Sequence, residues 1–265
     1  MSSFSAKIAK HAPALKRLAE DLRKLDEYML CLDLVAGISD MKRDLCLSMP
    51  AFGEELSISS SKNLFLASPQ PISFSLGSDA RCSILTGANS GGKTTLLEHI
   101  IQLVSMAQMG LPVSGTSKLP VFSEIYYFAK SKGSAGKGAF ETLLSTLSKI
   151  SPGGSTLILA DEIEAVTEPG VAGRIICATC SYYIEKGCFM VIATHLGHDI
   201  IRELPERARV DGIEAKGLDE NNELIVDHNP VLGRLANSTP ELIIERLAKT
   251  GKSEYYRFIH TYLSR

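Results

Sequence analysis

The stretch Gly87-Ala88-Asn89-Ser90-Gly91-Gly92-Lys93-Thr94-Thr95 decides how this chain is read. It fits the pattern G-x-x-x-x-G-K-[ST] of a phosphate-binding loop, the Walker A motif. Its flanks supply the context the pattern needs. Cys82-Ser83-Ile84-Leu85 reads as a buried strand, and Leu96, Leu97, Ile100, Ile101 and Val104 follow a helical period. Glycines let the backbone curl until its N–H groups point at phosphate oxygens, and the helix N-terminus adds partial positive charge. Lys93 is then placed to reach the β- and γ-phosphates, and the Thr94 hydroxyl to ligate Mg²⁺. A chain of ordinary composition meets this pattern by accident roughly one time in a hundred. The bland alternative is a glycine-rich strand-to-helix turn without a ligand.

Working outward, three further segments carry chemistry. Ser155-Thr156-Leu157-Ile158-Leu159-Ala160-Asp161-Glu162 is an apolar strand that ends in two acids. Beside a phosphate loop, such a pair divides the work: Asp161 is assigned to the metal and Glu162 to the attacking water. Phe189-Met190-Val191-Ile192-Ala193 is a third buried strand, and Thr194-His195 at its end is placed to sense the γ-phosphate. A histidine in that position is otherwise structural. Lys130 to Gly138 is a small, basic, Gly/Ser-rich segment before a helix expected from Phe140 through Ile150. It is either a second anion site or an ordinary loop.

The remaining chain frames these pieces. Residues 5–40 read as a helix, with Leu15, Leu18, Leu22, Leu25, Met29 and Leu32 forming a heptad stripe and with Pro13 and Gly37 near its ends. Such a helix either packs on its own domain or serves as a lever that pairs with another helix. Residues 41–80 are punctuated by Pro and Gly and alternate with period two at Ile72, Phe74 and Leu76, which predicts short strands, some antiparallel. A helix is expected over 92–109, a strand over Val121–Phe128 and another helix over 170–186. A terminal hairpin is expected from Arg209–Ala215 and Glu223–Asp227, then helices over Leu242–Ala248 and Glu254–Leu263.

Composition sets the bounds. The chain has 265 residues, 45% of them hydrophobic, enough for one large domain with an appendage. A net charge of −2 gives no global basic signal, so any nucleic-acid contact would have to be local. No stretch approaches the apolar length of a membrane span, and the N-terminus lacks the apolar core of an export signal. Six scattered cysteines, with Cys177-x-x-Cys180 as the one close pair, read as buried reduced thiols of a cytoplasmic protein; redox or metal chemistry is the alternative.

Taken in order, Gly87–Thr95, then Asp161-Glu162-Ile163, then Ala193-Thr194-His195 resemble the ATPase domain of the MutS family of DNA mismatch repair proteins. The double glycine Gly91-Gly92 and Asn89 carry the resemblance. Ser134-Ala135-Gly136-Lys137-Gly138-Ala139-Phe140-Glu141 looks like its signature region, with Gly138-Ala139 where Ser-Thr is usual.

The resemblance spans roughly residues 45–250. It implies an α/β, ABC-type P-loop NTPase fold with a mixed, mainly parallel sheet flanked by helices. An N-terminal lever-like helix (1–45) precedes the ATPase domain (46–235), and a C-terminal helical dimerisation element (236–265) follows it. It also implies a homodimer with Mg·ATP at the shared interface. One subunit gives Gly87, Ala88, Asn89, Ser90, Gly91, Gly92, Lys93, Thr94 and Thr95, and the other gives Ser134, Gly136 and Gly138. Thr94 and Asp161 are the expected Mg²⁺ ligands, and Glu162, His195 and Asn89 the expected catalytic residues, with Asn89 positioning the γ-phosphate or water. DNA is a partner by family analogy only.

No mismatch-reading, connector, clamp or nuclease-like segment is recognisable, so the chain is expected to be a divergent member, a fragment, or one subunit of a split protein. Two other readings stay open: a nucleotide-gated dimerisation module with little hydrolysis, and another ABC-type ATPase. The base pocket is unassigned; Phe65 and Phe74 are the nearby aromatics.

Overall fold

A computed structural model describes residues 2–87, 92–129, 141, 144–162, 169–218, 224–236, 240–250 and 253–263. The chain divides into two units, Met1–Ser48 and Met49–Arg265. The first holds one long helix, α1 (Ser2–Asp44), and a two-residue strand, β1 (Leu47–Ser48). The helix outruns both residues expected to bound it. Pro13 sits inside it. Proline removes one backbone donor, but the helix formers from Ala14 to Lys24 sustain the coil beyond it. A Cβ added at Gly37 would meet nothing within 4 Å, so that glycine costs backbone entropy only. The heptad leucines are exposed, from 54% at Leu18 to 64% at Leu32, and nothing among the described residues of this unit covers them.

The second unit begins with β2 (Ala51–Phe52), β3 (Leu56–Ser61), β4 (Ile72–Leu76) and β5 (Cys82–Gly87), followed by α2 (Lys93–Gln108). Then come β6 (Val113–Ser114), β7 (Thr116–Leu119), β8 (Glu124–Phe128), β9 (Thr156–Asp161), α3 (Pro169–Glu185) and β10 (Phe189–Ala193). The short α4 (Gly197–Ile200), the long β11 (Ala208–Leu218) and β12 (Leu224–Val231), and the terminal α5 (Pro240–Thr250) and α6 (Glu254–Leu263) complete it.

The main sheet has six strands in the order β12-β11-β5-β10-β9-β8. All its neighbours are parallel except β11 and β12. A second sheet, β2-β7-β3-β4, pairs β3 antiparallel with both β4 and β7. The fold is thus α/β with a mixed, mainly parallel sheet, as expected of a P-loop NTPase. The period-two segment at Ile72–Leu76 is one of the antiparallel strands. β7 carried no usable signal, because Thr116-Ser117-Lys118-Leu119 is polar on three positions in four.

The central strands are apolar at nearly every position because both faces are covered. On one face, Leu85, Leu157, Leu159, Phe189, Val191 and Ala193 pack with Leu96, Leu97, Ile100, Leu103 and Val104 of α2 and with the antiparallel sheet. On the other, Ile84, Ile158, Ala160, Met190 and Ile192 pack with Ile176, Tyr183 and Ile184 of α3 and with Leu147 and Ile150. Alternate residues of one strand therefore serve opposite cores.

The thiols follow this division. Cys82, Cys177, Cys180 and Cys188 are buried, whereas Cys31 and Cys46 are exposed, contrary to the uniform burial expected. Both exposed thiols belong to the first unit, which has no core to hold them. Burial pushes the Cys177 thiol up to about 11, and the Cys180 hydrogen bond, with burial, raises Cys82 well above the ordinary thiol value. These are protonated, unreactive core groups. No helix among the described residues is long and apolar enough to cross a membrane.

Candidate functional site

Strand register assembles the site. Leu85 of β5 pairs with Ala193 of β10, and Ala193 pairs with Asp161 of β9. The three strands end side by side, so the segments that follow them emerge at one sheet edge. In open α/β sheets that carboxyl edge is where ligands bind. Backbone bonds continue the alignment past the strands: Thr194 N donates to Leu85 O (3.0 Å) and Glu162 N to Ala193 O (2.9 Å).

Within this edge, Thr94 Oγ1 donates to Asp161 Oδ2 at 2.7 Å. Lys93 is 3% exposed and its Nζ donates to Gly87 O at 2.7 Å, so the ammonium is folded back over the loop's start. His195 Nε2 lies 2.6 Å from Glu162 Oε1. Glu162 holds a left-handed backbone, φ 48°, rare for a residue with a side chain and concentrated at functional sites. The Thr194 hydroxyl accepts from Leu196 N (3.0 Å) and fixes the turn that carries His195. The structure therefore brings Lys93, Thr94, Asp161, Glu162 and His195 together from segments 33 to 67 residues apart in hydrogen-bonded pairs. Ala88, Asn89, Ser90 and Gly91 of the loop, and Ser134, Gly136 and Gly138 of the signature segment, lie outside the described residues.

A divalent cation fits these donors. Asp161 is 4% exposed, and its Oδ1 is buried without a hydrogen-bond partner among the described residues. A buried carboxylate oxygen left unpaired is costly unless something meets it. Thr94 Oγ1 and Asp161 form a hard oxygen set suited to Mg²⁺, which takes one or two protein ligands and completes its shell with water and phosphate. No group of three or more His, Cys, Asp or Glu side chains that could hold a metal occurs among the described residues.

Beside the loop lies a cavity of about 290 Å³, lined among others by Asn63, Gln70, Gly92, Thr95, His99 and His228. It opens next to the first turn of α2. Sequence reasoning missed it because its walls come from the β3–β4 loop, α2 and β12, far apart in the chain. Neither aromatic noted beforehand contributes: Phe74 is core at 1% exposure, and Phe65 stands out at 83%.

The chain was compared with known proteins by sequence. No family model matches the chain. A DNA-binding protein MutS2 of Pyrococcus furiosus is 44% identical over 259 residues, which cover 93% of this chain and 45% of that protein. The chain carries a domain of the MutS family. An endonuclease MutS2 of Thermus thermophilus is 29% identical over 68% of the chain and 25% of its own length. One of Solidesulfovibrio magneticus is 35% identical over 45% of the chain and 16% of its own length. The chain thus spans less than half of the MutS-family relatives it matches.

Proposed function

We propose that this chain binds Mg·ATP at the edge of its main sheet, dimerises on it and hydrolyses it, in the service of DNA repair or recombination. The observation that carries this reading is the pairing of Thr94 with Asp161 (2.7 Å) and of Glu162 with His195 (2.6 Å) at the aligned ends of three parallel strands. Lys93 leaves Gly87 O to meet the β- and γ-phosphates. Thr94 and Asp161 hold Mg²⁺, which neutralises phosphate charge when bound. Glu162 orients a water and takes its proton. His195 holds that carboxylate in place and senses whether the γ-phosphate is present.

The cavity beside Thr95 takes the nucleoside. Asn89 positions the γ-phosphate or water, and Ser134, Gly136 and Gly138 of a second copy close the site, by analogy with the family. DNA as a partner rests on the name of the Pyrococcus furiosus relative. The name endonuclease, carried by relatives of which this chain matches a quarter or less, does not extend to it. A cytoplasmic location accords with ATP and DNA as partners.

The test is ATP turnover against protein concentration, with and without duplex DNA, for the natural chain and Glu162→Gln. Turnover per chain is expected to rise with concentration. Glu162→Gln should still bind ATP and turn it over about 10²–10⁴-fold more slowly. Equal turnover in both proteins removes the assignment of Glu162. A second reading, a nucleotide-gated dimerisation module, is favoured by Gly138-Ala139, which lack the usual signature hydroxyls. Turnover that stays flat near the uncatalysed level while ATP still drives dimerisation would select it.

A further inference from the structure

The last helix turns a row of aromatic rings to solvent. α6 packs against α5, and its Tyr256, Ile259 and His260 are half-buried. Tyr255, Phe258 and Tyr262 are 65%, 69% and 68% exposed. Spacings of three and four put these three rings on one side of the helix. At a rise of about 1.5 Å per residue the row spans about 10 Å. Apolar side chains exposed singly are ordinary, but an aligned row of large rings marks a contact surface. The helical pair that carries the row is also basic. Pro240 to Arg265 holds Arg246, Lys249, Lys252, Arg257 and Arg265 against Glu241, Glu245 and Glu254, a balance of +2 in a chain whose total is −2. Of the acids, Glu245 is engaged by Lys249 at 2.6 Å. Arg257, on α6 itself, is exposed and makes no ion pair among the described residues.

We propose that Tyr255, Phe258 and Tyr262 form a stacking platform for the unpaired bases of single-stranded DNA. The proposal rests on the reading of DNA as a partner, and it names the form of the strand and the surface that meets it. Every base has a π-face, so a row of rings binds unpaired bases whatever their order, while nearby cations attract the phosphates. In a duplex those faces are covered by the neighbouring base pairs, and rings on a protein surface do not reach them. A row of about 10 Å matches about three nucleotides of a stacked strand at about 3.4 Å each. Tyrosine suits an exposed platform, because it offers a ring while its hydroxyl stays in water. The charge separates this partner from a second copy of the chain. A symmetric pairing of this face would set the same positive balance against itself, whereas a phosphodiester strand neutralises it.

The experiment measures, by fluorescence anisotropy at low salt, the binding of a labelled oligothymidylate and of a duplex of equal length to the full chain. The natural chain should bind the single strand more tightly than the duplex, and added salt should weaken both. Tyr255→Ala, Phe258→Ala and Tyr262→Ala should each weaken single-strand binding about tenfold and leave duplex and Mg·ATP binding unchanged. Phe258→Leu keeps an apolar side chain and loses the ring, so it should bind the single strand as weakly as Phe258→Ala. The chain has no tryptophan, so Phe258→Trp supplies a single reporter. It should bind as the natural chain does, with its emission quenched by the oligothymidylate and not by the duplex. Single-strand affinity unchanged in the three alanine variants overturns the proposal, as does Phe258→Leu binding as tightly as the natural chain. Alanine variants that keep the oligothymidylate but lose ATP-driven dimerisation, or binding to phosphatidylglycerol vesicles, also overturn it and place a second copy or a lipid surface on this face. A natural chain that binds the duplex and not the single strand removes this proposal alone. One that binds neither removes DNA as a partner as well.

Discussion

At the scale of single residues, glycine geometry separates a fold requirement from a convenience. Gly87 has φ +133°, and a Cβ there would lie 2.4 Å from Ile213 O. Gly110 has φ +75° with nothing within 4 Å of its Cβ position. Gly110→Ala should cost about 1–2 kcal/mol, from backbone strain alone. Gly87→Ala meets that strain and a backbone clash that cannot relax, so it should cost clearly more and abolish ATP binding. Urea denaturation of the two variants checks the order. His99 gives a second test. Its folded pKa lies below the unfolded value of about 6.5. Between those two values the unfolded chain binds a proton that the folded chain refuses. The stability associated with neutral His99 is therefore complete above about pH 6.5 and declines as pH falls through the window. Unfolding free energies measured from about pH 7.5 to 5.5 should fall less steeply for His99→Gln than for the natural chain. Equal slopes would refute this.

At the scale of elements, Gly233 to Ala236, after β12, are packed across the site's flank. Gly233 N donates to Asp211 Oδ1 (2.8 Å) and Ala236 N to Thr86 Oγ1 (3.1 Å). Asp211 is fully buried, and its carboxylate also accepts from Ser83 Oγ and from Arg209 Nε at 2.7 Å. Glycine is required beneath this segment: a Cβ on Gly212 would lie 2.7 Å from both Ala236 N and Arg234 O, backbone atoms that cannot swing aside. Thr86→Val keeps the shape and deletes the hydroxyl, so it should lower stability by about 1 kcal/mol. An unchanged melting temperature would show that the hydroxyl's two bonds, from Ala236 N and to Asp211 O (3.3 Å), contribute nothing. None of this was legible beforehand. Arg209-Val210-Asp211 reads as one arm of a hairpin, which it is, since β11 pairs antiparallel with β12. That β11 also runs parallel to β5, from Ala208 beside Cys82 to Ile213 beside Gly87, depends on a long-range pairing that local pattern does not encode.

At the scale of the whole molecule, the expectation is association that follows the nucleotide. Sedimentation of Glu162→Gln should show a dimer with Mg·ATP and a monomer without it, and Lys93→Ala should remain monomeric in both; a monomer throughout contradicts the composite site. The sequence by itself determined where the strands and helices around Lys93, Asp161 and His195 lie. Leu157–Ala160 and Phe189–Ala193 have to be buried strands because they offer no polar face. Leu15 to Leu32 has to be a helix because its apolar residues repeat every three and four positions. These are local constraints, written in neighbouring residues. Tertiary structure alone decided what register and crossing determine: that Leu85, Ala193 and Asp161 fall level, so that Thr94 meets Asp161 and Glu162 meets His195. It also decided that Asn63, His99 and His228 share one cavity, because side chains so far apart in sequence are brought together only by the packing of α2 between two sheets.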